Sequence, residues 1–230
     1  MSDSSGSGND TRRASIAPRG GKPLNLRAAA KELDKASRLE EPTERAVAVI
    51  AVLRAVLRDL RVDPVIVGGM AVQYWTHGAF ATTDIDVLLP VDPEIDRRLA
   101  VLDFERKGRH FHRGPLLIEM PDSFPDERAI LVDVEGPFGR TASMLSPEDA
   151  LVNRLHEAVA TGAFDATIQA IALLSSEDLN RERLEERAVD EGLASALAAL
   201  GSLAARVDSG DEISSGEVHE IFRRLRGGAL

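Results

Sequence analysis

Residues 65 to 89 read VIVGGMAVQYWTHGAFATTDIDVLL. An apolar run ends in Gly68-Gly69, a helix-like stretch follows, and a second apolar run carries Asp84 and Asp86 among Ile85, Val87, Leu88 and Leu89. Alternate side chains of a strand share a face, so the two carboxylates project together, ~7 Å apart along the chain, while Ile85 and Val87 turn to the core. Two partly buried acids repel each other and lose hydration. The strand is stable if a cation lies between them. Oxygen-only ligands suit Mg²⁺ or Mn²⁺, which keep waters and share substrate phosphates.

A third acid on a neighbouring strand would complete such a site. Glu119 in PLLIEM is the first candidate and Asp133 in ILVDVEG the second. Alternation also allows Glu119 to face solvent, and Asp133 to face water or pair with an arginine. Gly68 and Gly69 close a strand and open a helix, where backbone N–H groups and the positive helix end can approach an anion. The plainer alternative is a tight turn. Thr82 and Thr83 could bond a phosphate or sugar, or be ordinary strand residues. Metal, triphosphate and acids together are the equipment of nucleotidyl transfer, with one metal activating the incoming hydroxyl and another neutralising the leaving pyrophosphate.

The rest of the chain frames this segment as an α/β (α+β) protein. Of its 230 residues 43% are apolar, enough for a core. A formal charge of −10 argues against specific binding of duplex DNA. There is no cysteine for disulfide or thiolate chemistry. No apolar stretch approaches the ~20 residues that span a bilayer, and no apolar signal core follows the N-terminal charges. The expectation is a cytoplasmic protein without membrane contact.

Residues 1 to 23 are Ser, Gly, Pro and charge, and read as a disordered tail. Residues 24–144 read as a small mixed-sheet core flanked by helices, and residues 145–230 as a helical C-terminal half. Val47, Ile50, Leu53, Leu57 and Leu60 predict a helix over about 43 to 61, with Thr43 as its N-cap. Strands are expected at VIVGG, DIDVLLPV, PLLIEM and AILVDVEG, a helix from Pro93 to Arg106, and a turn over Asp126 to Arg128. Ser146-Pro147-Glu148-Asp149 is a helix start, with a Ser cap, a Pro in the first turn and an acid three residues on. ERKGRHFHRG, residues 105 to 114, is a basic cluster that reads either as a solvated loop or as the lining of an RNA or triphosphate groove. His110 and His112 share a face if extended, but no third ligand is visible in the sequence and no zinc site is assigned. Trp75 and Phe80 read as core.

The pattern resembles the nucleotidyltransferase superfamily with a polymerase-beta-like core: a strand-end Gly-Gly, a helix, an acid-x-acid strand and a later third acid. It is more closely similar to a prokaryotic, uncharacterised and toxin-type branch reading VGGxAVxxYxTxGxxxTxDID, matched from Val67 through Asp86. An IExP strand is matched at Ile118-Glu119-Met120-Pro121, and an SxEDxxxxRL helix at Ser146, Glu148-Asp149 and Arg154-Leu155. The resemblance covers about residues 45 to 205. It implies a Mg²⁺- or Mn²⁺-dependent transferase that binds ATP or another NTP and moves NMP to a hydroxyl on a protein or tRNA acceptor. It further implies that such a chain can be the toxin of a toxin–antitoxin pair, with a cognate antitoxin as partner.

By this resemblance Asp84, Asp86 and Glu119 are the metal-binding and catalytic residues. Gly68, Gly69, Thr82, Thr83 and Arg154 are on the nucleotide side, with a surface ion pair as the alternative for Arg154. The chain departs from the superfamily pattern in carrying Met70 in place of a serine, Phe80 in place of an arginine, and Arg154 where a lysine is frequent. Those departures motivate a second expectation, an inactive relative that binds nucleotide or a partner.

Overall fold

The structure is a computed structural model that describes residues 24–121, 128–176 and 178–227. The expected tail over 1 to 23 and most of the turn over Asp126 to Arg128 lie outside the described residues.

Helix α1 (Leu26–Ala36) is capped by Asn25, whose side chain accepts from the Ala28 amide at 2.8 Å. Helix α2 (Pro42–Leu57) follows and ends in a 3₁₀ turn over Arg58–Leu60. Its N-cap is Glu41, which accepts from the Glu44 amide, with Pro42 in the first turn. Thr43, expected to be the cap, lies inside the helix and donates its hydroxyl to Glu41. The apolar stripe that predicted α2 is one part of its buried surface, since Val49, Val52 and Val56 are buried too. Helix α1 packs on one side and the sheet on another, and a helix apolar all round is stable only where it is covered all round.

Strand β1 (Val65–Ile66), helix α3 (Gly68–Trp75), strand β2 (Ile85–Leu88) and helix α4 (Pro93–Val101) come next. The chain then makes a hairpin of β3 (Glu105–Lys107) and β4 (His110–Arg113), followed by β5 (Leu116–Glu119). The hairpin corrects two expectations. The helix begun at Pro93 stops before the basic cluster, and that cluster is paired strand. Gly108, at φ +63°, makes the reversal in a backbone region glycine enters freely. Strand β6 (Leu131–Glu135) is followed by β7 (Thr141–Leu145), which the apolar pattern did not reveal.

Among the described residues seven strands form one mixed sheet in the order β3-β4-β5-β2-β1-β7-β6. Strand β1 runs antiparallel to β2 and parallel to β7, while β2 runs parallel to β5. The register is what positions the site. Asp86 of β2 lies opposite Glu119 of β5, and Glu119 lies opposite His110 of β4. Directly opposed residues share a face of the sheet, so one row carries Asp86, Glu119 and His110 across three adjacent strands.

The remaining described chain is helical: α5 (Pro147–Thr161), α6 (Phe164–Leu174), α7 (Arg181–Asp190), α8 (Ala194–Asp208) and α9 (Ser215–Gly227). Ser146 caps α5 as its sequence predicts, its hydroxyl accepting from the Asp149 amide at 3.3 Å, and Gly162 ends it at φ +71°. A buried ion network fastens these helices to the sheet. Asp149, 2% exposed, accepts from the Ile130 amide at 2.8 Å, from Arg187 at 3.1 Å, and from Arg183. Glu148 accepts from Arg183 at 2.9 Å and from the Asn180 amide at 2.7 Å. Helix α7 is thereby tied to the start of α5 and to the entry of β6. Among the described residues no helix is long and apolar enough to cross a membrane.

Candidate functional site

The site is built on the turn from β1 into α3. Gly68 has φ +57°, and a Cβ there would lie 2.6 Å from the Asp86 Cγ. Both the backbone conformation and the space therefore require glycine. Because that Cβ is missing, the Asp86 carboxylate can tuck under the turn, where its Oδ2 accepts from the Gly69 amide at 2.7 Å. Gly69 thus has a further task besides opening a helix: its N–H holds the second aspartate.

Burial pushes the Asp86 carboxyl above the usual carboxylate range, and the nearby negative charges of Glu119 and Asp84 push in the same direction. The amides of Gly69 and Met70 oppose the shift without cancelling it. A carboxylate raised by burial and like charges is one that a cation would stabilise.

Asp84 lies in the bend just before β2 and receives the Thr83 hydroxyl. Ligand atoms of Asp84, His110 and Glu119 lie within 4.8 Å of one another. Glu119 also pairs with Arg109 at 2.8 Å and lies 3.6 Å from His110 Nε2. Two carboxylates and an imidazole, with Asp86 beside them, are a donor set that fits a divalent cation.

Thr82 lies beside Gly69, and its amide donates to Gln73 Oε1 at 2.9 Å. Gln73 is buried, so this bond pins the loop between α3 and β2 to the helix. Arg154 is on α5 and pairs with Glu157 at 2.9 Å, one helical turn away. Asp133, the second candidate for the third acid, is on β6 at the opposite edge of the sheet and pairs with Arg54 at 2.7 Å. Arg54 also bonds Asp63, whose carboxyl is raised by burial, so this cluster belongs to the scaffold. Trp75 packs against the core, and its indole donates to the Leu145 carbonyl at 2.8 Å.

The basic cluster is matched by acids from this chain. Arg106 pairs with Asp96, Lys107 with Glu105, Arg109 with Glu119 and Arg113 with Asp34. The hairpin therefore presents these four cations already paired with carboxylates of the same chain. It does border a cavity of about 280 Å³ lined by Leu89, Val91, Arg106, Arg109, Met120 and Pro121.

His110 is the site neighbour that sequence reasoning missed. The alternation of His110 and His112 was visible, but the partner strand that brings Glu119 beside His110 follows only from the register.

Comparison with known proteins gives one family and two distant structures. A family model described as "Nucleotidyltransferase of unknown function (DUF6036)" matches residues 45–199. The solution structure of the antibiotic-resistance factor ANT(2'')-Ia is similar at 15% identity and a TM-score of 0.42, over 69% of this chain and 94% of that one. The crystal structure of an antigenic nucleotidyltransferase-like protein from Paracoccidioides brasiliensis is similar at 18% identity and a TM-score of 0.48, over 78% of this chain and 91% of that one. The search of curated proteins found no match. The match to the family model takes in the glycine turn, the aspartate strand, Glu119 and the start of the helical half, and the chain belongs to the family of nucleotidyltransferases of unknown function that this model describes.

Proposed function

We propose that this protein transfers a nucleotide from an NTP to an acceptor hydroxyl with the help of Mg²⁺ or Mn²⁺. The observation that carries the reading is the grouping of Asp84 with Glu119 and His110, next to Asp86, whose carboxylate is held under the glycine turn. Asp84 and Glu119 hold the cation, and Asp86, fixed by the Gly69 amide, adds a third carboxylate. A bound divalent cation would supply charge neutralisation on the triphosphate and acidify the attacking hydroxyl.

The chain's own residues do the positioning. In this reading the first turn of α3 and the Thr82-Thr83 loop hold the nucleotide phosphates, and Arg154, paired with Glu157 in the structure, is assigned to the nucleotide by the resemblance alone. Glu119 orients the acceptor hydroxyl and takes its proton. The hydroxyl oxygen bonds to the α-phosphorus as the bond to pyrophosphate breaks. The acceptor supplies that hydroxyl. It is a protein or an RNA such as tRNA, and a toxin role with a cognate antitoxin is one form of this reading.

A second reading is a relative that binds nucleotide or a partner without transfer. Met70, 2% exposed, stands where a phosphate-holding serine is frequent, and the Gly69 amide is engaged by Asp86. One experiment separates the two. The protein is incubated with Mg²⁺ or Mn²⁺, each α-labelled NTP in turn, and lysate containing protein and tRNA, beside an Asp84→Ala, Asp86→Ala double variant. Label on an acceptor from the wild type alone supports transfer, and the labelled band gives the acceptor class. Cation-dependent NTP binding without label supports the second reading.

A further inference from the structure

We propose that His110 is a ligand of the metal centre, and that it makes the centre prefer Mn²⁺ to Mg²⁺. The inference rests on the reading of Asp84, Asp86 and Glu119 as a metal site, and adds a fourth side chain of different chemistry.

Three observations carry it. His110 is the in-register partner of Glu119, so its side chain is on the row that already carries Asp86 and Glu119. Its ring nitrogen lies with oxygens of Asp84 and Glu119 inside a 4.8 Å limit. Two ligands that each stand ~2.1 Å from one ion are at most ~4.2 Å apart, so small side-chain rotations close the set. His110 is supplied by a strand of a hairpin whose turn is a positive-φ glycine, so its placement is fixed by sheet pairing rather than by a free loop.

The donor type then sets the preference. Mg²⁺ dehydrates reluctantly and takes oxygen ligands. An imidazole nitrogen suits transition ions, while carboxylates and water suit Mn²⁺ as well as Mg²⁺. A set of two or three carboxylates and one imidazole is therefore met best by Mn²⁺ of the two.

The test uses the full chain, stripped with chelator and titrated calorimetrically with MnCl₂ and with MgCl₂. Electron spin-echo spectra of the Mn²⁺ form are recorded alongside. The expected result is Mn²⁺ binding at least about tenfold tighter than Mg²⁺, with a nitrogen hyperfine coupling. His110→Gln should lose that coupling and at least the ~10-fold of Mn²⁺ affinity that even an outer-shell partner is worth, with its Mg²⁺ affinity little changed. His112→Gln should keep the coupling, which excludes the other imidazole of the hairpin even if His110→Gln fails to fold. Mn²⁺ binding by the wild type without nitrogen coupling overturns the role of His110 and leaves the metal site standing. Binding of neither ion, in the wild type as in Asp84→Ala, overturns the metal site and this proposal together.

Discussion

The acids at the start of α5 and the acids at the start of β2 and the end of β5 are treated in opposite ways by the same fold. Asp149 and Glu148 are almost completely buried, and Arg183 and Arg187 neutralise them from a neighbouring helix. Asp86 is partly buried among like charges, and its direct hydrogen bond comes from an uncharged amide. Glu119 has Arg109, a side chain 55% exposed and so paired at the surface rather than in the core. In the first cluster the charges are settled when the chain folds. In the second a negative excess is left at the surface, which is useful only if something positive arrives. Acid clusters therefore differ in meaning by what stands opposite them, and not by their number.

The largest test of this contrast is Asp149→Ala. Removing one partner of a buried ionic network leaves charges uncompensated, and the expected loss is about 3–5 kcal/mol in urea unfolding. A loss below about 1 kcal/mol would put the network in the same class as a surface pair. Next comes the cation. A saturating divalent ion at 100 times its Kd should raise wild-type stability by about 2.7 kcal/mol, read as a melting shift, and should leave an Asp84→Ala, Asp86→Ala double variant unmoved.

Gly68→Ala should cost about 1–3 kcal/mol for the left-handed backbone. It should also displace the Asp86 carboxylate and weaken cation binding in a calorimetric titration. Asp86→Asn sharpens the contrast most, because it should leave the melting temperature unchanged or raise it while abolishing nucleotide transfer. If it destabilised as Asp149→Ala does, the two clusters would be alike. The smallest effect is at Glu94, whose carboxyl is held at about 2 by Arg97 and then Arg98. A lowered carboxyl gives stability that is complete above the ordinary value of 4.5 and is lost as the pH falls through about 2. Wild type should therefore lose its small advantage over Glu94→Gln across that interval in acid melts.

Local rules were enough for the features that depend on few neighbours. The glycine turn, the core-facing Ile85 and Val87, and the Ser146 cap all follow from propensity, alternation and capping chemistry. Other features were hidden because their causes are distant in sequence. Strand β3 is three exposed charged residues, Glu105–Lys107, and carries no apolar alternation. Its pairing with β4 stabilises it, not its composition. The match of Asp149 to Arg183 and Arg187 spans 34 and 38 residues and needs α7 folded back on α5. His110 looked like one of several basic residues until Glu119 was set beside it. Glu41 took the cap expected at Thr43 because Pro42 fits the first helical position, and the cap then falls on the residue before it.

The row from Asp86 through Glu119 to His110 also has a bearing on how this site can change over time. Its members are spaced by strand pairing, so a point substitution alters a member without moving the others. A one-residue slip of β4 against β5 would instead turn every side chain of that strand to the other face. The hairpin forms one edge of the sheet, with β3 outermost. The outer member of the row can therefore be exchanged by rewriting one hairpin while the aspartates and their glycine turn stay as they are.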